Sequence, residues 1–459
     1  MLDFLIMYEV KTRELENILL IGNELKRRGY SVEYLSFEHV NPKKYLDNKK
    51  VIGKYFNNVN VVLMPSLYHD KEVYELVYYV CGQCRNIVNL RWEQSLSVKV
   101  ENDLDNYAYP HGSAKTAYHV CWGKASYRSL AASGIAEDKL LLTGPVQMDF
   151  LFPQARGYYL SKEELYQKYH FPQDRKTVLY ISSFAIANRT QRQIELEEKS
   201  AGGVNLWRDK IQFTADSQKQ TLDWIEALLK KDSCTFIYRP HPVENANEDL
   251  KQLQEKYPHF RVISDYSIKQ WILCCDFIST WMSTAIAEAF FAQKPCLIVR
   301  PLPFAPENEC TIYQGAKIVD NLEDYLARIM DVNEVSVSED VIRRYYDVTG
   351  IPSHVRLCDE LEKILASDQH FAWNQEQMKA VDSRRWAHIL QNILIWGYIP
   401  LLKLLGAVRK KTGLSYGKKI NNRVDSYQKA SPNIVKNIAS PEEIEQISAR
   451  LAQFFGNDA

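Results

Sequence analysis

The stretch "FIYRPHPVEN", residues 236–245, ends an apolar run with Arg239 and His241, and a proline stands on each side of the histidine. An arginine or histidine placed there can pair with phosphate oxygens through charge-assisted hydrogen bonds, and the prolines fix the backbone that presents the imidazole. Some forty residues on, "STWMSTAIAEAFFAQKP" sets Ser283 and Thr284 where a helix is expected to begin. Their hydroxyls, the free N–H groups of a first turn and the helix dipole together suit an anion. Glu288 follows one turn after Thr284 on the same face and can accept hydrogen bonds from ribose hydroxyls. Arg239, His241, Ser283, Thr284 and Glu288 thus describe a nucleotide phosphate and sugar held at one edge of a domain. Taken alone, Ser283 and Thr284 read equally well as a plain N-cap.

The elements that must position these residues alternate along the chain. In the first third, "DFLIMYE", "SVEYLSF", "VNVVLMP" and "NIVNLRW" read as strands, with helices over Thr12–Arg28 and Lys71–Val80. A helix over Lys124–Ser133 and the strand "KLLLTG" follow. A second alternation begins at "TVLYISS" and runs through "CTFIYRP", "FRVIS", "CDFIST" and "PCLIVRP", with helices at about Ala215–Lys230, Glu248–Tyr257 and Ser283–Ala292. Alternation of this kind implies βαβ units and parallel sheets. The expectation is an α/β chain of two Rossmann-like domains, residues 1–160 and 161–370, with strand ends lining one cleft, and a helical tail over 371–459. At 459 residues the chain has length for two cores.

Lys plus Arg equals Asp plus Glu at 57 each, so no global field attracts nucleic acid, and electrostatic recognition must be local. Nine cysteines show no repeated spacing, and "MLDFLIMYEV" lacks the pattern of a secretory signal, which predicts a reducing, cytoplasmic setting. The one close pair, Cys81 and Cys84 in "CGQC", reads as core or surface thiols in preference to a redox or zinc motif. No Walker loop or G-x-G-x-x-G is present, which argues against ATP hydrolysis and NAD chemistry. Neutrality breaks in the tail. From Arg384 to Arg423 there are nine basic residues and no acid, around an apolar core from Ile389 to Val408 that Gln391, Asn392, Pro400 and Lys403 interrupt. This predicts an interfacial segment with Trp386, Trp396 and Tyr398 at headgroup depth on an anionic leaflet; the competing reading is a helix capping the domains. "SPEEIEQISARLAQFF" reads as a capped amphipathic helix.

"YRPHP" followed by "STWMSTAIAEAFFAQKP" resembles the second half of GT-B transferases that use cytidine-activated donors: CDP-glycerol glycerophosphotransferases, polysialyltransferases and Kdo transferases. The chain is most similar to the bacterial surface carbohydrate biosynthesis proteins. The resemblance covers about residues 1–365 and is tight only in the second domain. It implies that Arg239, His241, Ser283 and Thr284 hold the donor phosphate and that Glu288, Lys294 and Pro295 match the glycerophosphotransferase pattern. Trp281 and Met282 stand where those enzymes have Asp-Tyr, which departs from the CDP-polyol version. "CWGKASYRSLAASGIAEDKLLLTGPVQMDFL" resembles the Gly-rich close of a GT-B first domain, and "PHGSAK" is similar to the His-Gly motif of the glycerophosphotransferases.

The resemblance implies that an acceptor hydroxyl is activated by a base of the first domain, and the candidates in order are Glu93 in "NLRWEQ", His111 in "PHGS" and Glu9 in "IMYE". Asp103 and Asp105 in "DLD" read as loop acids, so no metal and no cofactor beyond the nucleotide-sugar co-substrate is expected. The function expected is a glycosyltransferase of capsule, O-antigen or similar surface polysaccharide. It would move a sugar from a CMP- or CDP-linked donor to a lipid-linked glycan, on the cytoplasmic face of the bacterial cell membrane. The alternatives are a nucleotide-sugar epimerase of the same fold and a non-catalytic scaffold of a glycan assembly complex.

Overall fold

The computed structural model describes residues 1–37, 40, 51–94, 96–200, 206–331, 336–413 and 438–456, with the backbone alone described at 196–200, 206–207 and 386–403. Two compact units emerge: Met1–Ser95, Leu104–Val146 and Asp347–Ala459 form the first, Leu96–Asp103 and Gln147–Tyr346 the second. The helices that frame the sites are α1 (Lys11–Arg27), α2 (Leu206–Leu229), α3 (Glu248–Lys256), α4 (Ile268–Cys274), α5 (Ile286–Phe291), α6 (Ser353–Ala366), α7 (Gln375–Thr412) and α8 (Pro441–Phe455).

The first unit holds β1 (Leu2–Tyr8), β2 (Val32–Ser36), β3 (Val59–Met64), β4 (Asn86–Asn89), β5 (Tyr118–Cys121) and β6 (Leu140–Leu142), in the order β2-β1-β3-β4-β5-β6. Every neighbouring pair is parallel. Near-continuous apolar runs such as "LDFLIMY" and "VNVVLM" fit strands covered on both faces. Helix α1 buries Leu15, Ile18, Leu19 and Leu25, one stripe at helical spacing.

The chain leaves this unit after Val146 and returns at Asp347. At the crossing Gly144 has φ +79°, and a β-carbon there would lie 2.5 Å from the Asp347 carbonyl oxygen, so only glycine fits. The Asp347 N–H donates to Trp122 O at 2.6 Å, and Arg356 of α6 clamps the Asp347 carboxylate at 2.7 Å. Residues 347–370, placed with the second domain from sequence, therefore pack on the first. Arg28 explains part of this, binding Glu24 of α1 and Asp359 and Glu362 of α6, each at 2.7 Å.

Helix α7 starts on an N-cap, the Asn374 side chain accepting from the N–H groups of Glu376 and Gln377. Its first turns join the core of the first unit through Met378 and Val381, beside Phe371, Tyr74 and Tyr78. Arg385, 15% exposed, bonds the carbonyls of Tyr78 and Tyr79 and lies 4.4 Å over Phe56. Arg384 pairs with Glu75 at 2.6 Å. Two of the nine basic residues assigned to a membrane surface are thus engaged by the fold. The side chains of Trp386, Trp396, Tyr398 and Lys403, and residues 414–437 with Lys418, Lys419 and Arg423, lie outside the described residues. Among the described residues no helix is long and apolar enough to cross a membrane. Helix α8 is capped by Ser440 and rests on α1, with Lys11–Glu443 at 3.0 Å and Leu451 fully buried.

The second unit holds β7 (Thr177–Ile181), β8 (Thr235–Arg239), β9 (Phe260–Val262), β10 (Phe277–Thr280), β11 (Cys296–Val299) and β12 (Ile318–Val319), all parallel, in the order β12-β11-β10-β7-β8-β9. Counted along this unit from the β9 edge, that is 3-2-1-4-5-6, the order of a doubly wound nucleotide-binding sheet. The order reverses between β7 and β10. A crevice opens outside the carboxyl ends of strands at such a point, which is where open α/β sheets bind ligands. Leu222, Ile225 and Leu228 of α2 cover one face, against Val178, Tyr180, Phe236 and Tyr238.

Candidate functional site

The carboxyl ends of the three central strands lie in one row. Ile181 of β7 is paired with Arg239 of β8 and with Thr280 of β10. The residues that follow are Ser182 and Ser183, then Pro240 and His241, then Trp281 to Thr284. They are stitched together at the edge: Ser182 N–H donates to Arg239 O at 3.0 Å, the Thr280 hydroxyl to Ile181 O at 2.9 Å, and Met282 N–H to Ser183 Oγ at 3.0 Å. The structure thus brings His241, Ser283 and Thr284 to neighbouring strand ends around the reversal point.

The His241 loop is held by a residue that sequence reading passed over. Glu244 accepts from Ser182 Oγ at 2.6 Å, Tyr238 OH at 2.8 Å, Gln218 Nε2 of α2 at 2.8 Å and the His241 N–H at 3.0 Å. Burial pushes its carboxyl above the ordinary range, while the bonds from Ser182, His241, Tyr238 and Gln218 pull the other way. His241 Nδ1 accepts from Val243 N–H at 3.4 Å, which puts the proton of the neutral ring on Nε2. The only sequence signal for Glu244 is its place three residues after the histidine, where a turn brings it back.

Arg239 is placed differently from the expectation. Its Nη1 and Nη2 donate to the carbonyls of Asp265 and Tyr266, in the loop after β9. Desolvation brings its pKa down to about 10, against the pull of Asp265. In this arrangement the guanidinium braces a loop beside the site. Ser283 is also drawn into the fold: Tyr313 OH accepts its N–H at 2.8 Å and donates to its carbonyl at 2.9 Å, and Ser283 Oγ accepts from Ala285 N–H at 3.2 Å. Helix α5 begins at Ile286, later than the expected Ser283, so most first-turn donors near Ser283 already have protein partners. Thr284 is exposed. Glu288 is half-buried, burial raising its pKa and Lys269 of α4 lowering it.

Arg300, just past β11, was not read from the sequence. It is 3% exposed, pairs with Glu309 at 2.6 Å, and stacks 5.5 Å from Trp281, 4.7 Å from Phe304 and 5.6 Å from Tyr313. Trp281 and Tyr313 flank Ser283, so this cation fixes the bend that carries the serine.

In the first unit the three base candidates all stand on loops at the carboxyl edge. Glu93 follows β4, is 70% exposed, and is paired with Arg13 of α1. Glu9 directly follows β1 and is exposed, and its N–H donates to the buried Glu14 at 2.7 Å. His111 stacks on His69 with centroids 5.5 Å apart, and its Nε2 lies 3.1 Å from Asn106 O. Donation to that carbonyl leaves Nδ1 as the basic nitrogen. Its backbone is tied to Tyr68 O at 2.7 Å, beyond β3. Among the described residues no group of three or more His, Cys, Asp and Glu side chains is set to hold a metal ion. Cys81 and Cys84 are buried and free, and burial raises both thiols.

No protein-family model and no curated protein sequence matches the chain. Solved structures do. S. aureus MnaA in its structure with UDP aligns at 13% identity over 80% of this chain and 97% of that one, with a TM-score of 0.52. The wall teichoic acid polymerase TagF soaked with CDPG aligns at 13% identity over 79% and 89%, with a TM-score of 0.50. UDP-GlcNAc 2-epimerase from Neisseria meningitidis bound to UDP-GlcNAc aligns at 14% identity over 79% and 100%, with a TM-score of 0.48. At these identities the likeness concerns architecture: two parallel six-stranded α/β units of the GT-B fold, with a C-terminal helix.

Proposed function

We propose that this protein is a glycosyltransferase of bacterial surface polysaccharide synthesis, taking a CMP- or CDP-linked sugar as donor and a lipid-linked glycan as acceptor. The observation that carries the reading is the row of strand ends at the reversal point of the second sheet, where His241, Ser283 and Thr284 follow β8 and β10. Two proteins of this architecture, MnaA with UDP and TagF with CDPG, support a nucleotide as the ligand. His241 would meet the donor phosphate with Nε2–H, and Thr284 and the Ser183–Met282 edge would border it.

In the reaction the acceptor oxygen bonds to the anomeric carbon, and the bond from that carbon to the donor phosphate breaks. The electron pair leaves with the nucleotide, where His241 stabilises the developing charge. The acceptor proton passes to a base of the first unit. Glu93, paired with Arg13 just past β4, is the first choice, and His111 and Glu9 follow. The protein would work at the anionic inner face of the cell membrane, held by the basic part of α7 and the residues beyond it.

The test is incubation of the full chain with CMP-, CDP- and UDP-sugars, with and without lipid-linked acceptor, in the presence of EDTA. The expected result is acceptor-dependent release of nucleotide that EDTA leaves unchanged. Free or epimerised sugar without acceptor would replace the reading with an epimerase, and no turnover of any donor would replace it with a scaffold.

A further inference from the structure

Two residues past β4 the chain does something costly and leaves it uncompensated. Arg91 has φ +53°, a left-handed angle unfavourable for a residue with a β-carbon. The Asn89 side chain pins this kink, its Oδ1 accepting the Arg91 N–H at 3.2 Å and its Nδ2 donating to Leu67 O at 3.0 Å. The kink buries the guanidinium: Arg91 is 6% exposed, and its Nε and Nη1 have no hydrogen-bond partner among the described residues. Three ionisable groups that feel the Arg91 charge stay uncharged. Burial and the Arg91 charge hold His119 neutral, its pKa down to about 3. Burial keeps the Cys121 thiol protonated, pushed up to about 12, and raises the phenol of Tyr68. Glu93, two residues along, is turned to Arg13.

Two buried guanidinium nitrogens without a partner are unfavourable, and the same short stretch leaves more donors unmet. Trp92 Nε1 and Gln94 Nε2 are also buried and unpartnered among the described residues. The unmet groups on residues 91–94 are all N–H donors, with no acceptor among them, so their complement is an acceptor-only anion. They stand at the carboxyl edge of a parallel sheet, where α/β units bind ligands, and residues 90–94 carry no regular structure that would resist rearrangement.

We infer that the carboxyl edge of the first sheet carries an oxyanion subsite, with the Arg91 guanidinium as its charge, for a phosphate or carboxylate borne by the acceptor. The assignment to the acceptor rests on the transferase reading; the subsite does not. Asn89 is its positioning residue, and Arg91 supplies the planar fork that matches either oxyanion.

The experiment is calorimetric titration of inorganic pyrophosphate, and separately of glucuronate, into the full-length protein and its Arg91→Asn and Arg91→Lys variants, with melting temperatures of each. At least one probe should bind the wild type, and Arg91→Asn should weaken it by about tenfold or more. Whichever probe responds identifies phosphate or carboxylate as the source. Asparagine tolerates the left-handed angle, so the ligand-free variant should melt no lower than the wild type, whereas an arginine kept only for structure would lower it. Should Arg91→Asn not fold, Arg91→Lys decides, because loss of the fork should weaken the probe several-fold. Absence of binding by both probes, or wild-type affinity in the folded variants, would overturn the subsite. Nucleotide titrations on the same proteins should be unaffected by either substitution. A wild type that binds no nucleotide would defeat the transferase reading and leave the subsite standing.

Discussion

Glu244 holds more of the site in place than either residue that made "RPHP" conspicuous. It gathers Ser182, Tyr238, Gln218 and the His241 backbone on one carboxylate, so Glu244→Ala should lower kcat/KM by about tenfold or more, equivalent to ~1.5–3 kcal/mol, with nucleotide affinity falling alongside. Because burial raises its folded pKa above the ordinary 4.5, its contribution to stability is complete below that pH and is lost as pH rises through the folded value. Melting temperature against pH should therefore decline less steeply above pH 4.5 in Glu244→Gln than in the wild type. Parallel curves would show that the carboxyl is not held in its raised state. His241 and the Ser283–Thr284 pair were legible because their residue types sit at strand ends in a recognisable spacing. Glu244, Arg300 and Arg91 were not, since what distinguishes them is burial and partners distant in the chain. Arg239 shows the converse: its type suited a phosphate, yet the carbonyls of Asp265 and Tyr266 take its donors.

At the scale of elements, long apolar strands and amphipathic helices followed the expected pattern to within a few residues, as β1, β7, β8 and α3 do. Two short elements escaped it. β5 is four residues with the buried, polar His119 inside it, and β12 is a pair, so neither has a period to read. The sequence presented two alternative roles for helix α7, and the structure bears on the capping one. The start of the helix, with Met378, Val381 and Arg385, belongs to the core of the first unit, while further along Leu404 is 61% exposed and Lys410 and Lys411 face solvent. A chain ending at Glu376 should lose about 2–5 kcal/mol of stability with those core side chains. A chain ending at Arg385 should keep that contribution and lose only what α8 adds through Leu451 and the Lys11–Glu443 pair. In sedimentation with anionic vesicles the full chain should pellet and the chain ending at Arg385 should stay in solution, with added salt weakening the full chain's binding. Equal pelleting of the two would remove the membrane role from this helix.

For the whole molecule, zero net charge and two parallel sheets left only local sites for recognition, and the strand order of the second sheet put one of them at a reversal point. The order itself was beyond sequence reading: alternation predicts a parallel sheet, but which strand neighbours which is decided by packing between elements far apart in the chain. The return of residues 347–459 to the first unit was hidden for the same reason, being fixed by Gly144 against Asp347 and by Arg28 against α6. What all of this places at one edge is the proposed nucleotide site, and its direct test is calorimetric titration of CMP, CDP, UDP and GDP into the full chain, His241→Ala and the Ser283→Ala/Thr284→Ala pair. The account predicts that a cytidine nucleotide binds the wild type best and that each variant, still folded, binds it about tenfold or more weakly, a loss of ~1.5–3 kcal/mol. Binding of no nucleotide by the wild type, or undiminished binding by both variants, would contradict it.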